Sequence, residues 1–418
     1  MSRPGPTLQV VEPTWYGDFH APFNAGILEM LARAFPERPI VFASESEHGR
    51  RVLDLVPAEL ADALKMIDLQ GPRFGDLWTA HRSDALGDRH PARAVWRARR
   101  LLARVVSADP GPKDLLLTST TPSMLIAART VGRRRHGLGD IEIIIHGTLA
   151  GLDHGRSRHP LRRALDLRAA VAHWVRGGRR LTVLESHIPD QAAARMPLLA
   201  RPGALEVIPH PTVQVDPAEP APAPSPPARF GFAGVITEAK GATLFLELAR
   251  AFADRPDLDF RLCGFLPPAV GDIDLDGFDG SVPSEPLPRG RYEALLDELH
   301  YVCLPLPGRY YDLTASGTVL DAIHHLKPLV TLDGPLTARL FAEAGDIGHL
   351  CSDEADLHRT IDRIGRMPDP DRYRSQVEAL RRLRDARRPE SLAALARARW
   401  FRDAPARRPT LRSGRTKP

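Results

Sequence analysis

Asp216-Pro217-Ala218-Glu219-Pro220-Ala221-Pro222-Ala223-Pro224-Ser225-Pro226-Pro227 lies just past the midpoint of the 418-residue chain. Proline has no amide to donate and a fixed φ, so this tract reads as an extended linker over 214–229, neither helix nor central strand. Working outward, the chain falls into two large segments, 1–213 and 230–385, each of a size that holds one or two domains of about 100–200 residues. Residues 386–418 add a C-terminal helix and a basic tail.

Both segments carry one pattern. In the first, short β-rich runs at Thr7–Val11, Ile40–Ala43, Asp114–Thr118, Ile141–Ile145, Leu181–Glu185 and Leu205–Ile208 end in loops. Helical periodicity fills the gaps around Asn24–Ala34, Pro57–Lys65, Ala92–Val106, Pro122–Arg134 and Pro160–Val175. In the second, strands at Phe230–Ala233, Phe260–Cys263, Tyr301–Pro305 and Leu329–Leu332 alternate with helices at Ala242–Phe252, Arg291–Leu299 and Thr318–His325. Near-continuous apolar strands separated by helices predict parallel sheets covered on both faces. The expected fold class is α/β: two doubly wound, Rossmann-like domains facing across a cleft. Ligands of such open sheets bind at the carboxyl ends of the strands.

Hydrophobic residues make up 43% and charged residues 26%, which excludes a wholly disordered chain. Mean hydropathy is -0.24, and no apolar run approaches the ~20 residues of a membrane helix. Pro4 and Pro6 interrupt the start where a secretory signal needs a continuous apolar stretch, so a cytoplasmic protein is expected. Cys263, Cys303 and Cys351 are too scattered for a disulfide framework or a zinc site.

The net charge of +5 invites a nucleic-acid reading. Yet lysine occurs only at Lys65, Lys113, Lys240, Lys327 and Lys417, acids are interspersed nearly everywhere, and only 6% of residues are aromatic. Few platforms remain on which bases could stack, so no nucleic-acid partner is expected. A looser preference for phosphates or an anionic membrane surface stays open. Its candidate is Arg156–Arg180, where Leu161, Leu165, Ala169 and Trp174 interleave with arginines; an ordinary solvated helix face is the other reading.

Chemistry concentrates in Pro307–Pro328, which begins where the Tyr301–Pro305 strand ends and opens a helix near Ser316. Ala315, Ser316 and Gly317 are small enough for a ligand to approach the backbone. The free amides of a helix start, here Ser316, Gly317 and Thr318, suit a diphosphate. Asp321 sits on the first turns, where a carboxylate accepts from both hydroxyls of a ribose; alternatively Ser316 only caps the helix and Asp321 is solvated. A second strand–loop–helix, Gly231–Ala242, superficially resembles a P-loop. Ala239 stands where glycine is required and Gly241 where Ser or Thr is, so a nucleoside-triphosphatase reading fails. Lys240 is nevertheless placed to neutralise a phosphate at a helix start.

Two first-segment loops, Tyr16–Asn24 and His146–Ala150, should face the cleft from the other side. A histidine there can hydrogen-bond a sugar hydroxyl in either protonation state, or simply satisfy a loop carbonyl. Asp272–Gly277 imitates the start of a calcium loop, but Pro283 occupies the slot of the bidentate glutamate.

These residues resemble the GT-B fold nucleotide-sugar glycosyltransferases, specifically the large retaining group called family 4. Phe232-Ala-Gly-Val with Glu238-Ala-Lys-Gly-Ala242 is similar to the family's strand–loop–helix with its phosphate-binding lysine. Ser316-Gly-Thr-Val-Leu-Asp-Ala-Ile-His-His-Leu-Lys-Pro328 resembles its acidic donor-binding helix. Leu205–Pro211 resembles the end of its first domain, and Ile145-His146-Gly147 the strand end with its acceptor-side histidine. The Gly17–Asn24 loop sits where the family has its N-terminal glycine loop, which makes Gly17, His20 and Asn24 acceptor-side candidates. Two departures stand out. The family's first acid would fall at Leu313, with Asp312 one position away, and the arginine expected after Gly234 is Val235. Arg309 or another arginine would then have to supply that contact.

The resemblance implies transfer of a sugar from a nucleotide diphosphate-sugar to a glycan or lipid-linked acceptor, with retention of configuration and no obligatory metal or other cofactor. It implies that Lys240, His146 and Asp312 act at the reacting centre, and that Gly234, Lys240, Ser316, Gly317, Thr318 and Asp321 hold the donor. The rivals are a sugar-nucleotide epimerase on the same fold and a non-catalytic sugar-nucleotide or glycan binder.

Overall fold

The computed structural model describes residues 5–69, 91–131, 137–212, 223–268, 273–276 and 282–401. Its first lobe is built on β1 (Thr7–Val11), β2 (Ile40–Ser44), β3 (Lys65–Asp68), β4 (Lys113–Leu117) and β5 (Leu138–Ile143), in the order β3-β2-β1-β4-β5. All neighbours run parallel. A bridge between Ile144 and Thr182 continues the sheet into the parallel pair β6 (Leu181–Val183) and β7 (Leu205–Val207). The second lobe orders its strands β12-β11-β10-β8-β9, again all parallel. These strands are β8 (Ala228–Val235), β9 (Leu258–Phe265), β10 (Tyr301–Cys303), β11 (Leu329–Leu332) and β12 (Gly348–Cys351).

Strand order reverses between β1 and β4 in one lobe and between β8 and β10 in the other. Connections leaving such a pair diverge to opposite faces and open a crevice at the strands' carboxyl ends. The fold therefore offers two crevices, one per lobe.

Helices of the first lobe are α1 (Ala21–Ala34), α2 (Ser46–Leu53), α3 (Ala58–Ala63), α4 (Pro91–Ala108), α5 (Pro122–Val131), α6 (Pro160–Ala164), α7 (Leu167–Arg176) and α8 (Ile188–Arg195). The second lobe has α9 (Ala242–Ala251), α10 (Arg289–Asp297), α11 (Gly317–His324), α12 (Pro335–Ala344), α13 (Glu354–Arg366) and α14 (Pro370–Ala386). The parallel α/β class expected from the sequence is the observed one. The helix expected over Pro57–Lys65 gives way after Ala63, because Lys65–Asp68 pairs with Val41–Ser44 as an edge strand. The helix expected over Pro160–Val175 is broken: Asp166 leaves the helical region and its carboxylate accepts from Ala169 N at 2.8 Å, capping a new helix. The expected linker, 214–229, overlaps β8, which starts at Ala228; residues 213–222 lie outside the described residues.

One apolar cluster fills the second lobe around Phe230, Phe232, Phe245 and Ile323, and two cover the faces of the first-lobe sheet. α15 (Pro389–Arg399) belongs to neither neighbour in sequence: Leu392, Ala393, Ala396 and Trp400 share a cluster with Ile27, Leu28 and Leu31 of α1. Trp400 Nε1 donates to Thr182 Oγ1 at 2.9 Å. The chain thus crosses between lobes twice, and the crossings touch where Thr212 N donates to Arg387 O at 3.0 Å. There Arg387 makes a buried two-armed ion pair with Glu185, at 2.6 and 2.8 Å. Among the described residues, no helix is long and apolar enough to cross a membrane.

Candidate functional site

At the second-lobe crevice, β8 ends in Gly234, whose φ of +75° only glycine adopts freely, and whose carbonyl approaches the bare Cα of Gly264. The chain then turns through a short 3₁₀ segment, Glu238–Lys240, into Gly241 (φ +85°) and α9. A side chain at Gly241 would strike Pro305 and Pro307, so this loop lies flush on the loop that leaves β10. Leu306 N donates to Lys240 O at 3.1 Å and ties the two loops together.

Lys240 is 9% exposed and folds back over β8. Its ammonium donates to Thr318 Oγ1 at 2.6 Å and to Ala233 O at 3.4 Å, and makes no ion pair among the described residues. Burial pulls this amine down to about 8, with the more distant Asp321 carboxylate acting against the fall. A buried cation without a counter-ion is a costly arrangement unless an anion completes it. Beside it starts α11. Ser316 Oγ caps it at Val319 N, and Ser316 and Thr318 are buried. Gly317 between them is exposed, and a Cβ there would meet nothing within 4 Å. The free amides of the helix start therefore open outward through Gly317.

Asp321, one turn on, accepts from Tyr292 OH at 2.8 Å and has Arg289 Nη1 at 3.6 Å. A Cβ on Gly234 would sit 2.8 Å from Thr318 Oγ1, 2.9 Å from Lys240 Nζ and 3.8 Å from Tyr292 OH. Gly234, Lys240, Thr318, Tyr292 and Asp321 thus surround one small volume, with Arg289 at its edge. Arg289 and Tyr292 were not anticipated. They sit on α10, in no recognisable motif, and the one available signal was two arginines and no acid in a first helical turn, where acids are the usual choice.

The first-lobe crevice is organised by a buried carboxylate at the end of β1. Glu12 accepts from Thr14 N, Trp15 N, Asn24 Nδ2 and Thr118 Oγ1 at 2.9–3.2 Å, joining the loops after β1 and β4 to α1. Asn24 also donates to His48 Nε2 at 2.8 Å, which leaves His48 Nδ1–H to donate to Gly17 O at 2.8 Å. Asn24 is fully buried and engaged in holding the Gly17 turn (φ +52°). His20, at φ 60°, caps no helix amide; its ring lies tilted between those of Trp15, at 4.1 Å, and His146, at 4.2 Å. A left-handed backbone at a residue other than glycine is a strained state that tends to gather at binding sites. Phe23 and His210 pack behind, and His210 is held well below its usual range by burial first and by His146 second.

The two crevices face each other. Gly147 abuts Thr314 Oγ1, Phe19 approaches Phe265 with ring centres 6.4 Å apart, and His187 Nε2 donates to Tyr311 O at 2.8 Å. Asp312 is buried, and its carboxylate takes Arg195 of α8 at 2.5 Å. Its geometry is that of a tie across the cleft. Leu313 packs into the first-lobe core.

No family profile and no curated protein matches the chain. Solved structures do. A UDP-forming α,α-trehalose-phosphate synthase from Burkholderia vietnamiensis superposes with a TM-score of 0.61 at 12% identity, over 95% of this chain and 98% of that one. An E. coli structure described as trehalose-6-phosphate bound with UDP-2-fluoro glucose gives 0.58 at 12%, over 93% and 98%. The N-terminal domain of Candida albicans trehalose-6-phosphate phosphatase gives 0.59 at 10%, over 94% and 95%. At these identities the likeness speaks for architecture, and the architecture is settled: two Rossmann-like lobes in the GT-B arrangement.

Proposed function

We propose that the protein transfers a sugar from a nucleotide diphosphate-sugar to a glycan or lipid-linked acceptor, with retention of configuration, and works in the cytoplasm. The observation that carries this reading is the buried ammonium of Lys240, without a counter-ion among the described residues, between two helix starts at a strand-order switch point. In this reading Lys240 and the Ser316–Thr318 amides take the diphosphate, and Asp321, steadied by Tyr292, holds the ribose. Arg289 supplies the positive charge that Val235 does not. His146, with the His20 ring packed against it, meets the transferred sugar and acceptor. Asp312 acts by holding Arg195, and Asn24 by holding the Gly17 turn.

The bond from the sugar's anomeric carbon to the leaving phosphate oxygen breaks as the acceptor oxygen bonds to that carbon. The acceptor's proton passes to the departing phosphate, so no separate protein base is needed. The fixed cation and amides stabilise the charge that develops on the diphosphate, and the reading calls on no metal.

A thermal-shift panel of UDP, GDP, ADP and TDP with their sugars tests it. A ligand at ~100-fold its Kd adds about 2.7 kcal/mol, a shift easily seen in melting. Stabilisation by one nucleotide family supports the reading; none by any nucleotide would sink it. Gly234→Ala is expected to weaken the stabilising nucleotide by tenfold or more, because the new methyl enters the volume shared by Thr318 and Lys240 and forces a left-handed alanine. Titration calorimetry checks this. Turnover with a donor sugar separates a transferase from a silent binder, which would show the shift and release no nucleotide.

A further inference from the structure

Building on the nucleotide-sugar reading above, we infer that the Tyr292 hydroxyl reads the sugar of the nucleotide and makes the site selective for ribonucleoside over deoxyribonucleoside diphosphates. Tyr292 Oη donates its one proton to Asp321 Oδ2 at 2.8 Å. The other carboxylate oxygen, Oδ1, has Arg289 Nη1 at 3.6 Å. A Cβ on Gly234 would stand 3.8 Å from the phenol oxygen and 2.9 Å from Lys240 Nζ, so phenol and ammonium border the same space. Burial and the neighbouring Asp321 carboxylate push the phenol well above its usual range, which keeps the proton on Tyr292.

What this corner offers a ligand is one-sided. A phenol whose proton is spent on a carboxylate has only lone pairs left, and an ionised carboxylate is acceptor-only. The pair asks for two O–H donors on neighbouring atoms, and a ribose with free 2′ and 3′ hydroxyls supplies them. Tyr292 takes one hydroxyl of that diol and Asp321 the other. A deoxyribose carries C–H at one of the two places and leaves one acceptor unmet in a half-buried corner. Sites built to bond a hydroxyl reject the analogue without it more strongly than apolar pockets reject a change of size. A phosphate carried on the ribose itself would be repelled by Asp321 and by Glu293, whose Oε1 lies 2.6 Å from Arg289 Nε.

The fold holds the pair in place. Arg289 and Tyr292 lie three residues apart on α10 and so share one face. The guanidinium lies over the phenol ring, 5.8 Å from its centre. At the far end of α10, Asp297 Oδ1 accepts from His325 Nδ1 at 2.8 Å. Lys327 Nζ donates to Asp297 O and Leu299 O at 2.9 and 3.0 Å. α10 is thus tied at one end to Asp321 of α11 and at the other to residues just past that helix, which keeps phenol and carboxylate in register.

Calorimetric titration of the full chain tests this with UDP, GDP and ADP, each beside its 2′-deoxy and 3′-deoxy analogues. For the base that binds, loss of either hydroxyl should weaken binding about tenfold or more. Tyr292→Phe keeps the ring and removes only its hydroxyl. In that variant one of the two penalties should shrink to about threefold or less, while the other persists. An unaltered melting temperature shows that the variant is folded, and the wild-type comparison needs no variant. Wild-type protein that binds a ribonucleotide and both deoxy analogues alike would overturn the ribose selectivity and leave the nucleotide reading standing. So would a folded Tyr292→Phe variant that retains both penalties. Binding of no nucleotide at all would overturn both.

Discussion

Lys240→Ala should weaken nucleoside-diphosphate binding about a hundredfold and lower kcat at least tenfold. Hydrogen bonds to a charged group are worth about 1.5–3 kcal/mol each, and a tenfold loss in kcat corresponds to about 1.4 kcal/mol of transition-state stabilisation. Two pH slopes accompany the loss, with opposite signs. The free protein's amine titrates at about 8, against 10.5 for an ordinary lysine, so the unfolded chain binds more protons between those values. Stability of the empty protein therefore gains from this group as pH rises from about 8 towards 10.5. In the proposed reading the diphosphate is held by the ammonium, so affinity should fall up to tenfold per pH unit above 8. Calorimetric titration between pH 7 and 10 reads the second slope, and melting over the same range the first. Lys240→Met should flatten both while raising the melting temperature of the empty protein, because a buried uncompensated charge is replaced by an apolar chain of similar length. Unchanged affinity in either variant would remove Lys240 from the site.

Arg387→Ala should destabilise the protein by about 3–5 kcal/mol, because it strands the Glu185 carboxylate inside the fold. For domains of this size that corresponds to a melting point lower by about 6–20 °C, which differential scanning calorimetry resolves. Glu185→Leu combined with Arg387→Met should recover most of the loss. If both single variants melt like the parent, the pair is not what holds the crossing point. A useful contrast is Arg399 with Glu206, where the arginine is 43% exposed and solvent screening leaves little to lose.

The α/β class was legible because β1, β2, β8 and β11 are apolar runs with turn chemistry on both sides, and central strands of parallel sheets have no polar face to disguise them. The edge strands β3 and β12, Lys-Met-Ile-Asp and Gly-His-Leu-Cys, were missed for the converse reason: each is short and contacts a neighbour on one side only. The loop after β8 was readable as a strand–loop–helix turn carrying Lys240, and in the structure Gly234 and Gly241 there both have positive φ. Arg289 and Tyr292 were not, because their approach to Asp321 is made by packing between helices that no local spacing encodes. Asn24 and Asp312 could be flagged as polar residues near a cleft. That Asn24 would be consumed by Glu12 and His48, and Asp312 by Arg195, depends on partners 12, 24 and 117 positions away.

The return of α15 to the first lobe bears on how the chain is made. Leu392, Ala393, Ala396 and Trp400 complete a core whose other members, such as Ile27 and Leu31, are synthesised near the beginning. At translation speeds of about 5–20 residues per second, the amino-terminal lobe waits many seconds for the segment that seals α1. During that interval an apolar helix surface stands open on the nascent chain, and the second lobe is free to fold first. The lobe made earliest is thus among the last to be finished, and a nascent chain stalled before residue 389 should attract chaperones at α1.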